Sequence, residues 1–281
     1  MIRLSAMMGD HPVTAALKSG AIASTEVTLD FADVKVPNTA FKRVVRNLEF
    51  DIAELAITTF LMAKAAGKRL VLLPAVLVSR MQHSFLVHNA ERGPLAPQDL
   101  AGRRVGVRSY SVTTGMWVRA ILSGDFVVDT DRIRWITFEE PHVAEFRDPP
   151  NVERAPAGSD IEAMLLAGEI DAAILGKKPG DARIRPLIGD IAGAEAAWLK
   201  RTGAIQINHM VVARDALPRA TLHEVYRLLA ESRRAAGDPA SNPFGVGPNR
   251  HNLEVAIDCV WRQQLIPKRY AIEELFGGHF S

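Results

Sequence analysis

The fold is decided by residues 51–78, which read DIAELAITTFLMAKAAGKRLVLLPAVLV. Residues 51–57 predict a strand, residues 60–67 predict a helix, and residues 69–78 predict a second buried strand. A strand, a helix and a strand in this order favour a mainly parallel sheet that is covered by helices. Ligands of such sheets bind at the carboxyl ends of the strands, where Thr58 stands.

The alternation of strand and helix patterns continues on both sides of this stretch, so we predict an α/β fold with two lobes. Lobe 1 is discontinuous and comprises residues 1–89 and 208–281, lobe 2 is an insertion of residues 90–207, and the ligand cleft lies between them. Each lobe is predicted to contain a mixed, mainly parallel sheet flanked by helices. Two strands, within MQHSFLVHNAE and AIQINHMVVARDAL, are predicted to pair as crossovers that form the hinge.

Composition narrows the class of protein. Of the 281 residues, 48% are apolar and 23% are charged, and the net charge is +2, so neither disorder nor strong attraction to nucleic acid or to an anionic membrane is indicated. Cys259 is the only cysteine, which rules out an internal disulfide and a cysteine-rich metal site. No stretch approaches the roughly 20 apolar residues that span a bilayer, and the first residues do not resemble a secretory signal. We therefore expect a cytoplasmic protein.

Hydroxyl residues collect at one predicted helix start, in the stretch GVRSYSVTTGMWVRAIL of residues 106–122. The first N–H groups of a helix lack partners and carry partial positive charge, so this position favours an anion. Ser111, Thr113 and Thr114 are candidate caps, and Arg108 flanks the opening. In the alternative interpretation, the serine and threonine side chains only cap the helix and Arg108 is a solvated surface charge. The predicted buried face of this helix consists of Trp117, Val118, Ile121 and Leu122.

His83 and His209 are the candidate catalytic residues. The predicted pairing of the two crossover strands would make these histidines neighbours in the cleft, and a histidine pair can divide the roles of acid and base near neutral pH. The alternative for each is a hydrogen-bonded histidine of structural importance only. Neither has the His-Glu-x-x-His spacing of a zinc site, so no metal is predicted.

The candidate substrate-binding residues are polar side chains at predicted strand ends, turns and helix starts: Asp10, His11, Thr58, Arg80, Ser84, Arg108, Tyr110, Thr113, Thr114, Lys177, Asn249 and Arg250. Arginine can hold a carboxylate through two parallel hydrogen bonds, which suits a dianion.

Several of these residues have a simpler interpretation. Arg80 and Arg108 could each instead pair with an internal acid such as Glu54 or Asp10. Lys177 could lie in a solvated loop, and Asn249 could cap the final long helix.

Over nearly its whole length the chain resembles the 4,5-dihydroxyphthalate decarboxylase family, and seven collinear stretches carry the resemblance. They are EFDIAELAITTFL, SRMQHSFLVHN, DLAGRRVGVRSYSVTTGMWVRAIL, EEP, MLLAGEIDAAI, INHMVVARD and PFGVGPNRHNLE. The resemblance implies the type 2 periplasmic-binding-protein fold.

The resemblance also implies a carboxy-lyase of phthalate catabolism that releases carbon dioxide from a dihydroxyphthalate without redox chemistry. Its partner would be a small aromatic carboxylate; no cofactor is expected, and a divalent metal and a homo-oligomer are left open. Our hypothesis is that His83 or His209 protonates the ring carbon while the other holds or deprotonates the phenol. Arg108, Thr113 and Thr114 would bind the carboxylate that stays.

Two loops depart from the family pattern. His11 stands where the family has an aromatic residue, and Lys177 and Lys178 stand where it has a Ser-Pro-Arg-like run. The exact substrate is therefore left open, and His11 is a third candidate for proton transfer.

Two other classes of function remain. The first is a solute-binding protein for a small carboxylate, because this fold closes on small anions without chemistry. The second is a ligand-sensing module, although no DNA-binding segment is visible. The histidine pair favours the enzyme.

Overall fold

A computed structural model describes residues 1–280. The strands, in chain order, are β1 (Ile2–Met7), β2 (Val27–Phe31), β3 (Ile52–Ala56), β4 (Leu70–Ser79), β5 (Leu86–Asn89), β6 (Arg104–Val107), β7 (Arg134–Thr137), β8 (Val152–Arg154), β9 (Ala172–Ile174), β10 (Ile184–Pro186) and β11 (Ile207–Arg214). The helices are α1 (Pro12–Lys18), α2 (Phe41–Asn47), α3 (Ile57–Ala65), α4 (Thr113–Asp125), α5 (Ile161–Ala167), α6 (Ile191–Thr202), α7 (Arg219–Ala235), α8 (Val246–Arg262) and α9 (Ile272–Leu275). Among these residues, no helix is long and apolar enough to cross a membrane.

The chain divides into two compact units. Residues 1–80 and 205–280 form the first unit, and residues 81–204 form the second. The predicted boundaries differ from these: residues 81–89, predicted for lobe 1, fall in the second unit, and residues 205–207, predicted for lobe 2, fall in the first. The reason for the first difference is that β5 pairs with β9 and β10 in the sheet of the second unit.

The first unit contains a five-stranded sheet in the order β2-β1-β3-β11-β4. Pairs β1–β2 and β1–β3 are parallel, whereas β11 is antiparallel to both of its neighbours. Helices α1 and α7 cover one face of this sheet with apolar side chains such as Val13, Leu17, Leu222 and Val225, which pack in one buried cluster with Ile52.

The second unit contains a six-stranded sheet in the order β10-β5-β9-β6-β7-β8, in which β5 is the antiparallel strand. Helix α4 follows β6, and its predicted face is confirmed as buried: Trp117, Val118, Ile121 and Leu122. The ring of Trp117 meets the edge of the Trp198 ring from α6 at 5.8 Å. The predicted fold class is thus confirmed, with two mixed, mainly parallel sheets and flanking helices.

The predicted pairing of the two crossover strands is wrong. Strand β11 pairs with β3 and β4, whereas β5 pairs with β9 and β10. His83 also lies outside any strand, in a 3-10 helix over His83–Phe85. The apolar alternation of the two segments is therefore real, but each strand finds its partners within its own sheet.

Two predicted helix caps are also wrong. Helix α4 begins at Thr113 with Val112 as its N-cap and has no side-chain cap, so Ser111, Thr113 and Thr114 do not fill that role. Helix α8 begins earlier than predicted, at Val246 after Gly245, whose φ of 101° suits glycine.

Asn249 consequently lies inside the first turns of α8, fully buried, and its side-chain Nδ2 donates to the carbonyls of Pro243 and Gly245 at 2.9 Å each. We expect Asn249→Ala to lower the free energy of unfolding by about 1–3 kcal/mol, because two partly buried backbone carbonyls each lose a side-chain donor. Urea denaturation checks this, with Asn47→Ala at the exposed end of α2 as the control, expected within about 0.5 kcal/mol of wild type. Equal midpoints for both variants would show that these bonds add no stability.

Candidate active site

Glu54 is a charged residue inside the otherwise apolar strand β3, and its side chain is fully buried. Its carboxylate accepts three hydrogen bonds. The Gly9 N–H and the His11 Nε2 reach Oε2 at 2.7 and 2.9 Å, and the His209 Nδ1 reaches Oε1 at 2.6 Å. We refer to His11, Glu54 and His209 as the His–Glu–His cluster.

The sheet of the first unit brings these three residues together. Ile52 belongs to the core under α1 and α7, and alternate residues of a strand share a face, so Glu54 points to that same side. The parallel register pairs Met7 with Ala53, which carries Gly9 and the start of α1 to the carboxyl end of β3. In β11, His209 lies opposite Ala56 and therefore diagonal to Glu54.

Glycine is required at position 9 by close packing. A Cβ there would lie 2.7 Å from Pro37 Cγ and 2.8 Å from His11 Nε2, which are too short for real contacts. The Thr14 hydroxyl fixes the same turn, because Oγ1 donates to the Gly9 carbonyl at 2.9 Å and accepts from the His11 N–H at 3.1 Å. The backbone before α1 therefore holds His11 against Glu54.

His11 and His209 both remain accessible. Their side chains are 21% and 24% exposed, whereas Glu54 is not exposed at all. His11 is the N-cap residue of α1, and Pro12 begins that helix. The Phe41 and His209 rings form a T-shaped pair with their centroids 5.2 Å apart and an interplanar angle of 84°, which restricts the orientation of the imidazole.

The pKa of Glu54 lies below its ordinary value of 4.5. Burial alone raises this pKa, but the hydrogen bonds and charge of His11 and His209 lower it by more. The group is therefore a carboxylate at neutral pH. An ionised carboxylate only accepts hydrogen bonds, so His11 carries a hydrogen on Nε2 and His209 carries one on Nδ1.

These assignments define what the cluster can do. The ring nitrogens that remain are Nδ1 of His11 and Nε2 of His209, and each can accept a proton when its ring is neutral or donate one when its ring is protonated. The arrangement is that of general acid–base groups oriented by a buried carboxylate, as in hydrolase triads.

The sequence prediction included His11 and His209 but missed the role of Glu54, which entered only as a possible partner of Arg80 or Arg108. The signal was available, because Glu54 is a lone charge in an apolar strand, and such a buried charge requires partners. Asp10 is exposed and forms an ion pair with Lys18, whereas Glu54 accepts hydrogen bonds from Gly9, His11 and His209. Burial lowers the pKa of Arg80, which follows β4.

Thr58 is fully buried in the first turn of α3. In the second unit, Ser84 is half-buried in the same 3-10 helix as His83. Their roles in substrate binding remain predictions.

Strand pairing was predicted to place His83 beside His209. That pairing does not occur, and His83 lies within the second unit. Its side chain is fully buried with the ring edge-on to Trp198 at 6.3 Å, and no group within residues 1–280 hydrogen-bonds either ring nitrogen. Burial lowers the pKa of His83, which favours the neutral ring. Its catalytic role remains a prediction.

The other residues of the second unit lie around the start of α4 and in a loop. Arg108 pairs with Glu139 at 2.9 Å, while Tyr110 is buried beneath the Arg119 guanidinium, 3.9 Å from its ring centroid. Thr113 and Thr114 form the first turn of α4. Their roles in binding a carboxylate remain predictions.

Lys177 has a side chain that is 81% exposed and lies 3.8 Å from a Glu162 oxygen, which agrees with the solvated-loop alternative. Arg250 of α8 pairs with Glu273 at 2.7 Å, and Asn249 binds backbone carbonyls as described above. Within residues 1–280, no group of three or more histidine, cysteine or acidic side chains is arranged to hold a metal ion.

The chain has the periplasmic-binding-protein-like fold. It superposes on the alkanesulfonate-binding protein of Xanthomonas axonopodis pv. citri with a TM-score of 0.54 and 12% identity, over 97% of each chain. No family model matches the sequence.

The sequence itself is 30% identical over 229 residues to a 4,5-dihydroxyphthalate decarboxylase of Comamonas testosteroni, which is 77% of this chain and 69% of the relative. A protein of that name from Pseudomonas putida is 30% identical over 192 residues, 62% of this chain and 74% of the relative. The chain belongs to the 4,5-dihydroxyphthalate decarboxylase family.

Proposed function

We propose that this protein catalyses the non-oxidative decarboxylation of a dihydroxylated aromatic dicarboxylate such as 4,5-dihydroxyphthalate. Membership in the family supports the reaction class. The single observation that carries the assignment to a site is the hydrogen bond from His209 Nδ1 to the buried carboxylate of Glu54 at 2.6 Å.

The reaction needs a place for the electrons of the breaking carbon–carbon bond. A hydroxyl para to the departing carboxylate can feed electron density into the ring, so that the carbon that bears the carboxylate accepts a proton. Loss of carbon dioxide then restores aromaticity. The only group that the protein must supply at the reacting carbon is an acid, and a positioned acid of this kind contributes typically 10²–10⁴-fold.

His209 is the proposed acid. Its Nδ1 is held by Glu54, so the proton that it donates is the one on Nε2, and its accessible side chain can meet a substrate. The carboxylate stabilises the protonated ring before transfer, and the packing of Phe41 limits rotation of that ring. Glu54 acts as a positioning residue, since it touches His209 and not the substrate.

Carbon dioxide release from 4,5-dihydroxyphthalate by the purified protein tests the proposal, with and without a chelator and with identification of the aromatic product. We expect turnover to the mono-acid, unchanged by chelation. Loss of turnover on chelation would assign the reaction to a metal. Tight binding of the diacid without turnover would instead favour the solute-binding alternative.

A further inference from the structure

We propose that His11 is a second acid–base residue of this reaction, and that Glu54 allows His11 and His209 to share a single additional proton. This inference rests on the proposed function, because it assigns the base that complements the acid. It goes beyond that function by fixing the number of protons in the cluster and the nitrogen on which each lies.

Both imidazoles use the same carboxylate but approach it through different nitrogens. His11 donates from Nε2 to Oε2, and His209 donates from Nδ1 to Oε1. Each neutral ring therefore presents the opposite nitrogen as a lone pair, Nδ1 in His11 and Nε2 in His209. The hydrogen bonds fix both tautomers at once.

Charge determines how many protons the cluster holds. The fully buried carboxylate contributes one negative charge, so one imidazolium makes the cluster neutral. A second imidazolium would place two like charges on one carboxylate in a partly buried place, and the loss of both would leave the buried charge without a cation. Both states are less favourable than the singly protonated one.

The remaining charged groups near His11 form a compensated set. Asp10, in the turn after β1, is paired with Lys18 of α1, and Lys35 acts on Asp10 through space. Asp10 in turn is close enough to His11 for their charges to interact. Lys18 Nζ also donates to the Met8 carbonyl at 3.1 Å, which ties this pair to the turn. These groups do not replace Glu54 as the counter-ion of the two histidines.

The shared proton gives a balanced reaction. Neutral His11 takes the proton of the para hydroxyl on Nδ1, and protonated His209 gives its Nε2 proton to the ring carbon, which produces a dienone that still carries the carboxylate. The carbon–carbon bond breaks, its electrons restore the aromatic ring as a phenolate, and carbon dioxide leaves. His11 returns its proton to the phenolate oxygen, and solvent reprotonates His209.

The net change is that one carboxylate and one proton become one C–H bond and one carbon dioxide. Throughout the transfer, Glu54 faces one imidazolium and one imidazole, because His11 gains a positive charge as His209 loses one. The buried carboxylate therefore keeps a constant electrostatic environment, which avoids the cost of creating an uncompensated buried charge during the reaction.

The first test is the pH dependence of kcat in wild type and in the variants His11→Asn and His11→Gln. Wild type should give a bell-shaped profile, because the reaction requires one neutral and one protonated imidazole. The variants should lose the acidic limb, retain the basic limb that requires protonated His209, and lower kcat by about 10²-fold. The control is His251→Asn, an exposed histidine of α8, with a wild-type profile expected.

The second test does not require turnover. In protein labelled with ¹⁵N histidine, ring nitrogen shifts should show hydrogen on Nε2 of neutral His11 and on Nδ1 of neutral His209, with signals assigned by their loss in single variants. At the pH of maximal kcat, the two rings together should hold one proton in addition to the hydrogen that each neutral ring carries.

The outcomes separate the two proposals. If wild-type protein shows these tautomers and one shared proton but no turnover, the proposed function is wrong. The assignment of the shared proton to His11 and His209 would then still hold. A folded His11→Asn variant with an unchanged bell-shaped profile, or a His11 ring that carries its hydrogen on Nδ1, would overturn the inference.

Discussion

Replacement of His209 by asparagine is expected to lower kcat by about 10²–10⁴-fold, with a smaller effect on KM. The reason is that the variant removes the proposed acid at the ring carbon, whereas the residues predicted to bind the substrate carboxylates are other residues. Asparagine keeps a polar side chain next to Glu54, so most of the local packing should survive. Steady-state carbon dioxide release at several substrate concentrations measures both constants.

Two further variants give this experiment its controls. His251→Asn makes the same chemical change at an exposed position of α8 and should retain wild-type kcat. His83→Asn tests the prediction that His83 is catalytic. If His83 donates the proton, its replacement should lower kcat as strongly as the replacement of His209. Wild-type kcat in folded His209→Asn, together with a large loss in His83→Asn, would transfer the acid role to His83.

The fold could be predicted from the sequence because its signals are local. The apolar run of β3, the helix that follows and the long apolar run of β4 each specify an element, and their order specifies a mainly parallel sheet. The buried face of α4 was likewise encoded by its periodic spacing. Such patterns report which side of an element is buried, and the structure agrees with them.

Strand pairing was harder to predict, because the alternation of apolar and polar residues along a strand does not identify the strand with which it pairs. The similar alternation around His83 and His209 suggested that the two strands pair with each other. In the structure, β5 and β11 belong to different sheets. Pairing between distant segments depends on how whole layers pack, and no local pattern of these strands encodes it. The proposed contact between the two histidines depended entirely on that pairing.

The His–Glu–His cluster illustrates the same limit. His11 lies in a turn and His209 in a strand near the other end of the sequence, and only the sheet order β1-β3-β11 brings both to Glu54. The sequence does indicate that burying Glu54 costs free energy unless the side chain has partners, because a carboxylate in a buried strand needs hydrogen-bond donors. A search for such donors would have favoured residues at the carboxyl ends of adjacent strands.

Glu54→Gln is expected to lower kcat by about 10²–10⁴-fold although its side chain has nearly the same shape. In a Ser–His–Asp triad the equivalent change from carboxylate to amide lowers kcat about 10⁴-fold through the wrong histidine tautomer. Here the amide offers one oxygen and one NH₂ group. Gly9 and His11 both donate to the same carboxylate oxygen, so the amide oxygen should take that position and direct the NH₂ group at His209.

This orientation reverses the tautomer of His209. An NH₂ group donates, so Nδ1 of His209 must accept, and a proton on that nitrogen would face another donor. The protonated ring that the reaction requires is then disfavoured, while His11 keeps its hydrogen on Nε2. In the ¹⁵N spectrum of the Glu54→Gln variant, the hydrogen of His209 should move to Nε2. Glu54→Asp keeps the charge on a shorter side chain and should recover part of the activity, and Glu26→Gln, at an exposed position, should behave as wild type.

The same variant should change the pH dependence of stability. Because the pKa of Glu54 is lower in the folded protein than its ordinary value of 4.5, the carboxylate contributes stability that is fully present above pH 4.5 and is lost as the pH falls further. The difference in unfolding free energy between wild type and Glu54→Gln should therefore be greatest above that pH, at roughly 2 kcal/mol, and should shrink in acid. Urea denaturation from pH 3 to 7 measures it. A difference that stays constant over this range would show that the carboxylate is not stabilised by its two histidines, and the argument for a shared proton would lose its electrostatic basis.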